Sequence, residues 1–306
     1  MMAFLEPVLI FTLLNVMQAL GLYITAMSGQ LSMATAAIGG VGAYLAAVLT
    51  VKFGWGFPPT LLMGAIAGAL VGVTLALITL KMRDFILKLT TLAFGEALAV
   101  LAFNWEYIGG ANSFTGIRLE TTLMTCVVGT IVALYVTWRF DGSRLGFAAR
   151  AVRDDPVAAT AMGISLASLR SITFGLGAAI VGMAGAIQAH YVLVVSPHEL
   201  GFFVSLNFII FLLFGGLQTM WGPVLGAVVL TAAPEMLRFT NEYRLIVYGL
   251  IIVLVVLLRP QGLLTRTPTG RERRFLGFRL AEERPPHAPA GTVLPLKVTP
   301  APAERS

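Results

Sequence analysis

Charge is what this sequence has least of. Only 12% of its 306 residues are Asp, Glu, Lys or Arg, while 57% are hydrophobic, and the mean hydropathy is +0.86. A soluble globular domain carries about 25% charged residues. A chain this poor in charge cannot cover itself with polar surface in water. Cysteine is nearly absent as well. The lone Cys126 lies in an apolar run, which excludes a disulfide and a cysteine-built zinc site. The three histidines, His190, His198 and His287, are too few and wrongly spaced for a metal site, and no H-E-x-x-H occurs. No G-x-x-x-x-G-K-[ST] loop is there to hold nucleotide phosphates, and no Ser/His/Asp set is suggested. No cofactor and no bond chemistry are expected. The start, MMAFLEPVLIF, lacks a basic stretch, so a cleaved signal peptide is not expected.

What the sequence has instead is repeated apolar runs of about 20 residues, long enough for ~30 Å of hydrocarbon. They do not alternate as barrel strands do. The expected fold is all-α: a polytopic transmembrane helical bundle of about 8–10 spans with one short cytoplasmic helix. Candidate spans lie at 5–27, 31–51, 60–80, 85–103, 121–138, 169–189, 203–214, 224–237 and 245–258.

Several spans carry marks of their own. The second is rich in small residues, among them Gly39, Gly40 and Gly42. It reads either as a buried packing helix or as a broken, pore-lining one. The third has Gly64, Gly68 and Gly72 at every fourth position, a stripe for close helix packing. The fourth holds Glu96. An ionisable residue inside a span is a functional candidate, and its plainer reading is a partner on a neighbouring helix or a nearby vestibule. Polar loops at 104–120 and 190–202 read as extracytoplasmic connections or docking loops. The run from Gly215 and Gly216 to Pro223 is too glycine-rich for a straight helix to continue.

The net charge of +6 does not point to nucleic acid. Much of the excess sits in short loops and the tail, at 81–88, 139–153 and 259–284, where a membrane protein keeps Lys and Arg in the cytoplasm. Counting spans between those clusters puts the N-terminus outside. Residues 1–264 are expected to form the membrane domain. Residues 265–306 form a basic, Pro-rich cytoplasmic tail whose composition cannot bury a core, with disorder expected beyond about 285.

The longest polar interruption between apolar blocks is 140–164, beginning FDGSRLGFAARAVRDDPVAATAM. Within it, Asp154-Asp155-Pro156 reads as a helix start, because Asp caps exposed N–H groups and Pro suits the first helical position. Gly163 can end the helix in a left-handed conformation. Two turns are too few for a helix stable alone. Ala158 and Ala159 are small enough for close approach, and Val157 and Met162 offer apolar knobs. A docked partner and a place among lipid headgroups are both open readings.

These residues resemble a known family. Ala151-Val152-Arg153-Asp154-Asp155, Ala158-Ala159 and Met162-Gly163-Ile164 are similar to the cytoplasmic loop of ABC importer permeases of the branched-chain amino acid class, the LivM-like type. Ser28-Gly29-Gln30-Leu31-Ser32 through Gly42-Ala43-Tyr44, Thr91-Leu92-Ala93-Phe94-Gly95-Glu96, and Gly215-Gly216-Leu217 with Gly222-Pro223-Val224 also resemble that family's signatures. The likeness covers about 15–264. Val157 departs from the Glu that many importers have before the alanine pair, and Met33-Ala34-Thr35 departs from a Gly-His-rich run.

The resemblance implies that Arg153, Asp154, Asp155, Ala158, Ala159, Met162 and Gly163 belong to a coupling helix gripped by an ATPase. It makes Gln30, Ser32, Gly39, Gly42, Glu96, Gly215 and Gly216 candidates for the translocation pathway. It implies a multi-pass subunit in a bacterial inner membrane. Its partners would be two cytoplasmic ABC ATPase subunits, a second homologous permease and an extracytoplasmic solute-binding protein. The expected solute is leucine, isoleucine, valine or a related small polar molecule. Urea or a short amide is the alternative within that architecture. An ion-coupled secondary transporter using Glu96 is the alternative outside it, and a membrane enzyme or scaffold is disfavoured because no catalytic cluster appears.

Overall fold

The structure is a computed structural model that describes residues 2–80, 82, 84–236, 249, 253, 257 and 262–264. The chain divides by its contacts at Thr265/Arg266, and every described residue belongs to the first unit. The expected ninth span, apart from 249, 253 and 257, and the tail beyond 264 lie outside the described residues.

The described chain is an all-α membrane bundle. Six of its helices are long and apolar enough to cross a membrane. They are α1 (Met2–Met27), α2 (Thr35–Phe53), α3 (Phe57–Thr79), α4 (Asp84–Asn104), α5 (Leu123–Asp141) and α8 (Leu166–Val192). Between α5 and α8 come the short helices α6 (Arg144–Asp154) and α7 (Pro156–Ala161). After α8 come α9 (Phe202–Gly215) and α10 (Trp221–Met236). At ~1.5 Å per residue the 14 residues of α9 reach only about 21 Å, short of a ~30 Å hydrocarbon core. α10 follows it and is described as far as Met236. The two pack antiparallel, with Gly226 against the carbonyl of Phe211 and Gly215 against that of Gly222. The expected eighth span, 224–237, short for a full crossing, falls on α10 except for 237, which lies outside the described residues.

α1 and α8 form the centre. Both are apolar all round, as helices buried on every side are. Met17, Leu20, Tyr23 and Ile24 of α1, and Phe174, Ala184 and Ile187 of α8, are almost wholly buried. α8 packs on α1, α2 and α3 through small residues. A Cβ on Gly42 would overlap the backbone of Gly182, and one on Gly68 would overlap the carbonyl of Ala178. On α3 the opposite face carries Leu62, Ile66 and Leu70, all exposed. Glycines inward and leucines outward is the distribution expected of a helix with a protein side and a lipid side.

The helix ends sort into two sets. At one end, Tyr23 Oη on α1 donates to Asp141 Oδ1 on α5 at 3.1 Å, and Arg170 Nη1 on α8 donates to the Leu80 carbonyl at 2.9 Å. α6 and α7 sit at this end. At the other, Lys52 Nζ donates to the Tyr107 carbonyl at 2.7 Å. There Phe114 and Val195 exchange backbone hydrogen bonds at 2.9 and 3.0 Å, which joins the two polar loops.

The structure moves two features. α2 starts at Thr35 rather than 31, because Gly29 adopts φ +80° and breaks the chain away from α1. His190, expected in a loop, lies inside α8 and is fully buried. Its Nδ1 donates to the Ala186 carbonyl at 2.9 Å, and its Nε2 lies 2.8 Å from Thr50 Oγ1. Those bonds satisfy a buried imidazole within the helix packing.

Candidate functional site

The segment at 140–164 is built from local chemistry. Ser143 caps α6 by accepting from the Gly146 N–H at 3.1 Å. α6 buries Ala149 and Val152 and exposes Leu145, Phe147 and Ala151. Asp155 caps α7 with one carboxylate oxygen, which accepts from the N–H groups of Val157 and Ala158 at 2.9 and 3.0 Å. Pro156 holds the first helical position. At the far end Gly163 has φ +84°. There the Gly163 N–H donates to the Thr160 carbonyl at 2.9 Å and the Ile164 N–H to the Ala159 carbonyl at 3.1 Å. This paired closure satisfies carbonyls that a helix end leaves bare.

One buried contact ties the segment to the spans. Arg150 Nη1 pairs with Asp141 Oδ1 at 2.5 Å, and Nη2 donates to the Asp141 backbone carbonyl at 2.9 Å. The same carboxylate oxygen accepts from Tyr23 of α1. Both charged side chains are largely shielded, so removing one partner would leave a poorly solvated charge, at a cost of about 3 kcal/mol or more. A second contact runs through Gly29 of the α1–α2 link, where a Cβ would sit 3.3 Å from Arg153 Cα. A displacement of α6 therefore reaches the start of that link and the end of α1.

α7 projects from this base. Val157 is 78% exposed and Met162 83% exposed, and Asp154, Ala158 and Gly163 are exposed between and beside them. Ala159 is not part of that surface. It is 4% exposed and packs into the core, so of the two alanines expected to allow close approach only Ala158 is exposed. Neighbouring residues on a two-turn helix lie about 100° apart, so adjacent alanines cannot share one face.

The residues singled out for a pathway do not converge. Gln30 and Ser32 lie in the α1–α2 link at the α7 end. Ser32 Oγ accepts from the Ala34 N–H, while Gln30 is 1% exposed with neither amide atom partnered. Gly42 packs on Gly182. Gly215 and Gly216 form the α9–α10 turn, with Gly216 at φ +108°. The carbonyls of Phe214 and Gly215 accept from Leu263 and Leu264 N–H at 3.0 Å each. Glu96 is exposed and accepts from the Phe202 N–H at 2.7 Å, which caps the start of α9.

Of these residues only Gly39 lines a polar cavity, a space of about 290 Å³ among α1, α2, α8, α9 and the loop after α8. Its polar lining is Asn15, Gln18, Gln188, Asn207 and Glu199. None of these is among the pathway residues the sequence singles out. Asn15 Nδ2 donates to Thr231 Oγ1 of α10 at 3.0 Å. Gln18 is 3% exposed and its Oε1 has no partner. Glu199 is open to the cavity, yet the surrounding walls desolvate it and push its carboxyl above the usual range. α2 is continuous rather than broken: one face packs on α8, and Ala36, Gly39, Gly40 and Ala43 border the cavity. Among the described residues, no group of three or more His, Cys, Asp or Glu could hold a metal ion.

Comparison with known proteins gives one consistent family. The family described as branched-chain amino acid transport system / permease component matches residues 4–256. The high-affinity branched-chain amino acid transport system permease protein LivM of Salmonella typhimurium is 27% identical over 292 residues, covering 84% of this chain and 69% of that protein. LivM of Escherichia coli matches to the same extent. The LivH permease of Salmonella typhimurium is 27% identical over 167 residues, 54% of each chain. No solved structure matches at a significant level.

Proposed function

We propose, from the premise that this chain belongs to the branched-chain amino acid transport system / permease component family, that it is the membrane-spanning subunit of an ATP-driven importer in a bacterial inner membrane. The solute is leucine, isoleucine, valine or a close relative. A separate binding protein delivers it, and a second, homologous permease completes the pathway. Two cytoplasmic ATPase subunits supply the energy. This subunit carries out no bond chemistry.

The observation that carries the reading is α7. A six-residue helix cannot persist alone. Here it is capped at both ends, anchored by Ala159 and displays Val157, Ala158 and Met162 to solvent. A lipid-facing amphipathic helix would turn its apolar knobs towards the bilayer. This one stands beyond the ends of α5 and α8, braced through Arg150 and Asp141. Basic residues favour that end as cytoplasmic: Lys88, Arg139, Arg144, Arg150, Arg153 and Arg170 lie there, against Lys52 and Arg118 at the other. The proposed coupling surface is Arg153, Asp154, Asp155, Val157, Ala158, Met162 and Gly163, with Ala159 beneath it.

The test is co-purification. The subunit is extracted from native membranes in mild detergent and assayed for ATPase activity, alongside Ala158→Glu. ATPase subunits that accompany the wild type and leave the variant support the reading. A subunit that comes out alone, or one whose variant keeps the ATPase, overturns it.

A further inference from the structure

We infer that the cavity among α1, α2, α8 and α9 holds the solute in transit, and that it selects a small apolar α-amino acid by its ammonium group. This rests on the importer reading and adds the residues that would contact the solute. At the end opposite α7 the cavity is lined by Val194, Val195 and the exposed Glu199, in the loop after α8. From there it runs inward to Gln18, midway along α1, and to Gly39 on α2. It therefore begins at the face where a delivered solute arrives and ends inside the bundle.

Its lining has one charge, the Glu199 carboxylate, and no cation. A small anion meets no positive charge there, whereas an ammonium group meets a negative one. Three carboxamides, Gln18, Gln188 and Asn207, supply donors and acceptors but no net charge, which suits the other polar end of a zwitterion. Gln18 Oε1 is buried at the inner end without a partner. Whichever way round that amide lies, one of its polar atoms is left for an incoming group, and an unfilled buried acceptor costs about 1–3 kcal/mol. Phe11, Leu14, Val204 and Phe208 provide apolar wall for an aliphatic side chain. A volume of about 290 Å³ lies at the small end of the ~300–1,000 Å³ range of small-molecule pockets. Urea would use the carboxamides equally well but brings no positive charge to Glu199, so it forgoes the charge-assisted hydrogen bond.

The native cysteine makes a direct test possible. Cys126 is fully buried, so a thiol placed on the cavity wall is the one a water-soluble reagent reaches. Val204→Cys is introduced into the assembled complex and its modification rate measured, with Val194→Cys as a second position should the first not fold. Leucine is expected to slow modification several-fold, while urea and N-acetylleucine leave it unchanged. Adding Glu199→Gln is expected to remove the protection by leucine. Equal protection by N-acetylleucine overturns the ammonium selection. An unchanged rate with leucine, in a complex that retains its ATPase subunits and takes leucine up, overturns the site while the importer reading stands. Failure of the importer reading shows itself separately, as a complex without ATPase subunits.

Discussion

Glu96 is where the residue-level accounts of this chain divide. An ion-coupled transporter needs its carboxylate to gain and lose a proton. In the structure its Oε1 accepts from the first N–H of α9, a place where negative charge is favoured by a helix N-terminus, by about 0.3–1 kcal/mol. Glu96→Gln keeps an acceptor oxygen there. Solute uptake should survive that change, with a stability loss no greater than about 1 kcal/mol. Uptake abolished by Glu96→Gln would favour the ion-coupled account. Glu199 behaves differently. Its walls favour the protonated carboxyl, so its contribution to stability is full below the ordinary glutamate pKa of about 4.3. That contribution is lost as pH rises through the raised folded value. Relative to Glu199→Gln, the wild-type unfolding midpoint should therefore fall as pH rises across that window. Midpoints that stay parallel would mean a fully solvated carboxyl. The carboxamides near Glu199 were open to view in the sequence, since Asn15, Gln18, Gln188 and Asn207 all interrupt apolar runs. Their convergence was not, because it depends on which faces of α1, α8 and α9 meet.

Elements show the same division between local and long-range information. α7 is legible because its signals are contiguous: a capping Asp155, Pro156 and a terminating Gly163. α6 is not, because four arginines in or beside it make the stretch look like a solvated loop. Only Gly146, Ala149 and Val152, three apart, mark its buried face. The inward turn of Ala159 likewise requires knowing where α7 docks. The two alanines then predict opposite phenotypes. Ala158→Glu should leave the thermal midpoint of the purified subunit unchanged while releasing the ATPase. Ala159→Glu should lower the midpoint, since it buries an unpaired charge. Equal midpoints for the two variants would contradict the placement of α7. The α3–α8 contact gives a sharper case. At Gly68 even a Cβ meets the Ala178 carbonyl, and backbone cannot move aside as a flexible side chain can. Gly68→Leu should cost at least the 1–3 kcal/mol typical of overpacking, seen as a lower midpoint in detergent. Leu70→Val, on the exposed face of the same helix, should cost little. A Gly68→Leu protein as stable as wild type would rule out that close approach.

At the scale of the whole molecule, the sequence carries the class of fold plainly, because low charge and long apolar runs leave few alternatives. It carries the span count less well. α9 is apolar enough to pass for a span, and only its 14 residues show it too short for a straight crossing. The described bundle differs at its two ends. At one, a polar cavity is lined by the loop after α8, and at the other α7 stands on a brace that reaches α1 through Asp141 and Tyr23. The central claim is that force applied at the second end moves solute held at the first. The direct measurement is leucine uptake by proteoliposomes containing the assembled complex, with and without ATP inside the compartment that α7 faces. The account predicts uptake that requires ATP, is lost with Ala158→Glu and persists with Glu96→Gln. Uptake by this subunit alone, without ATP or ATPase subunits, would contradict it.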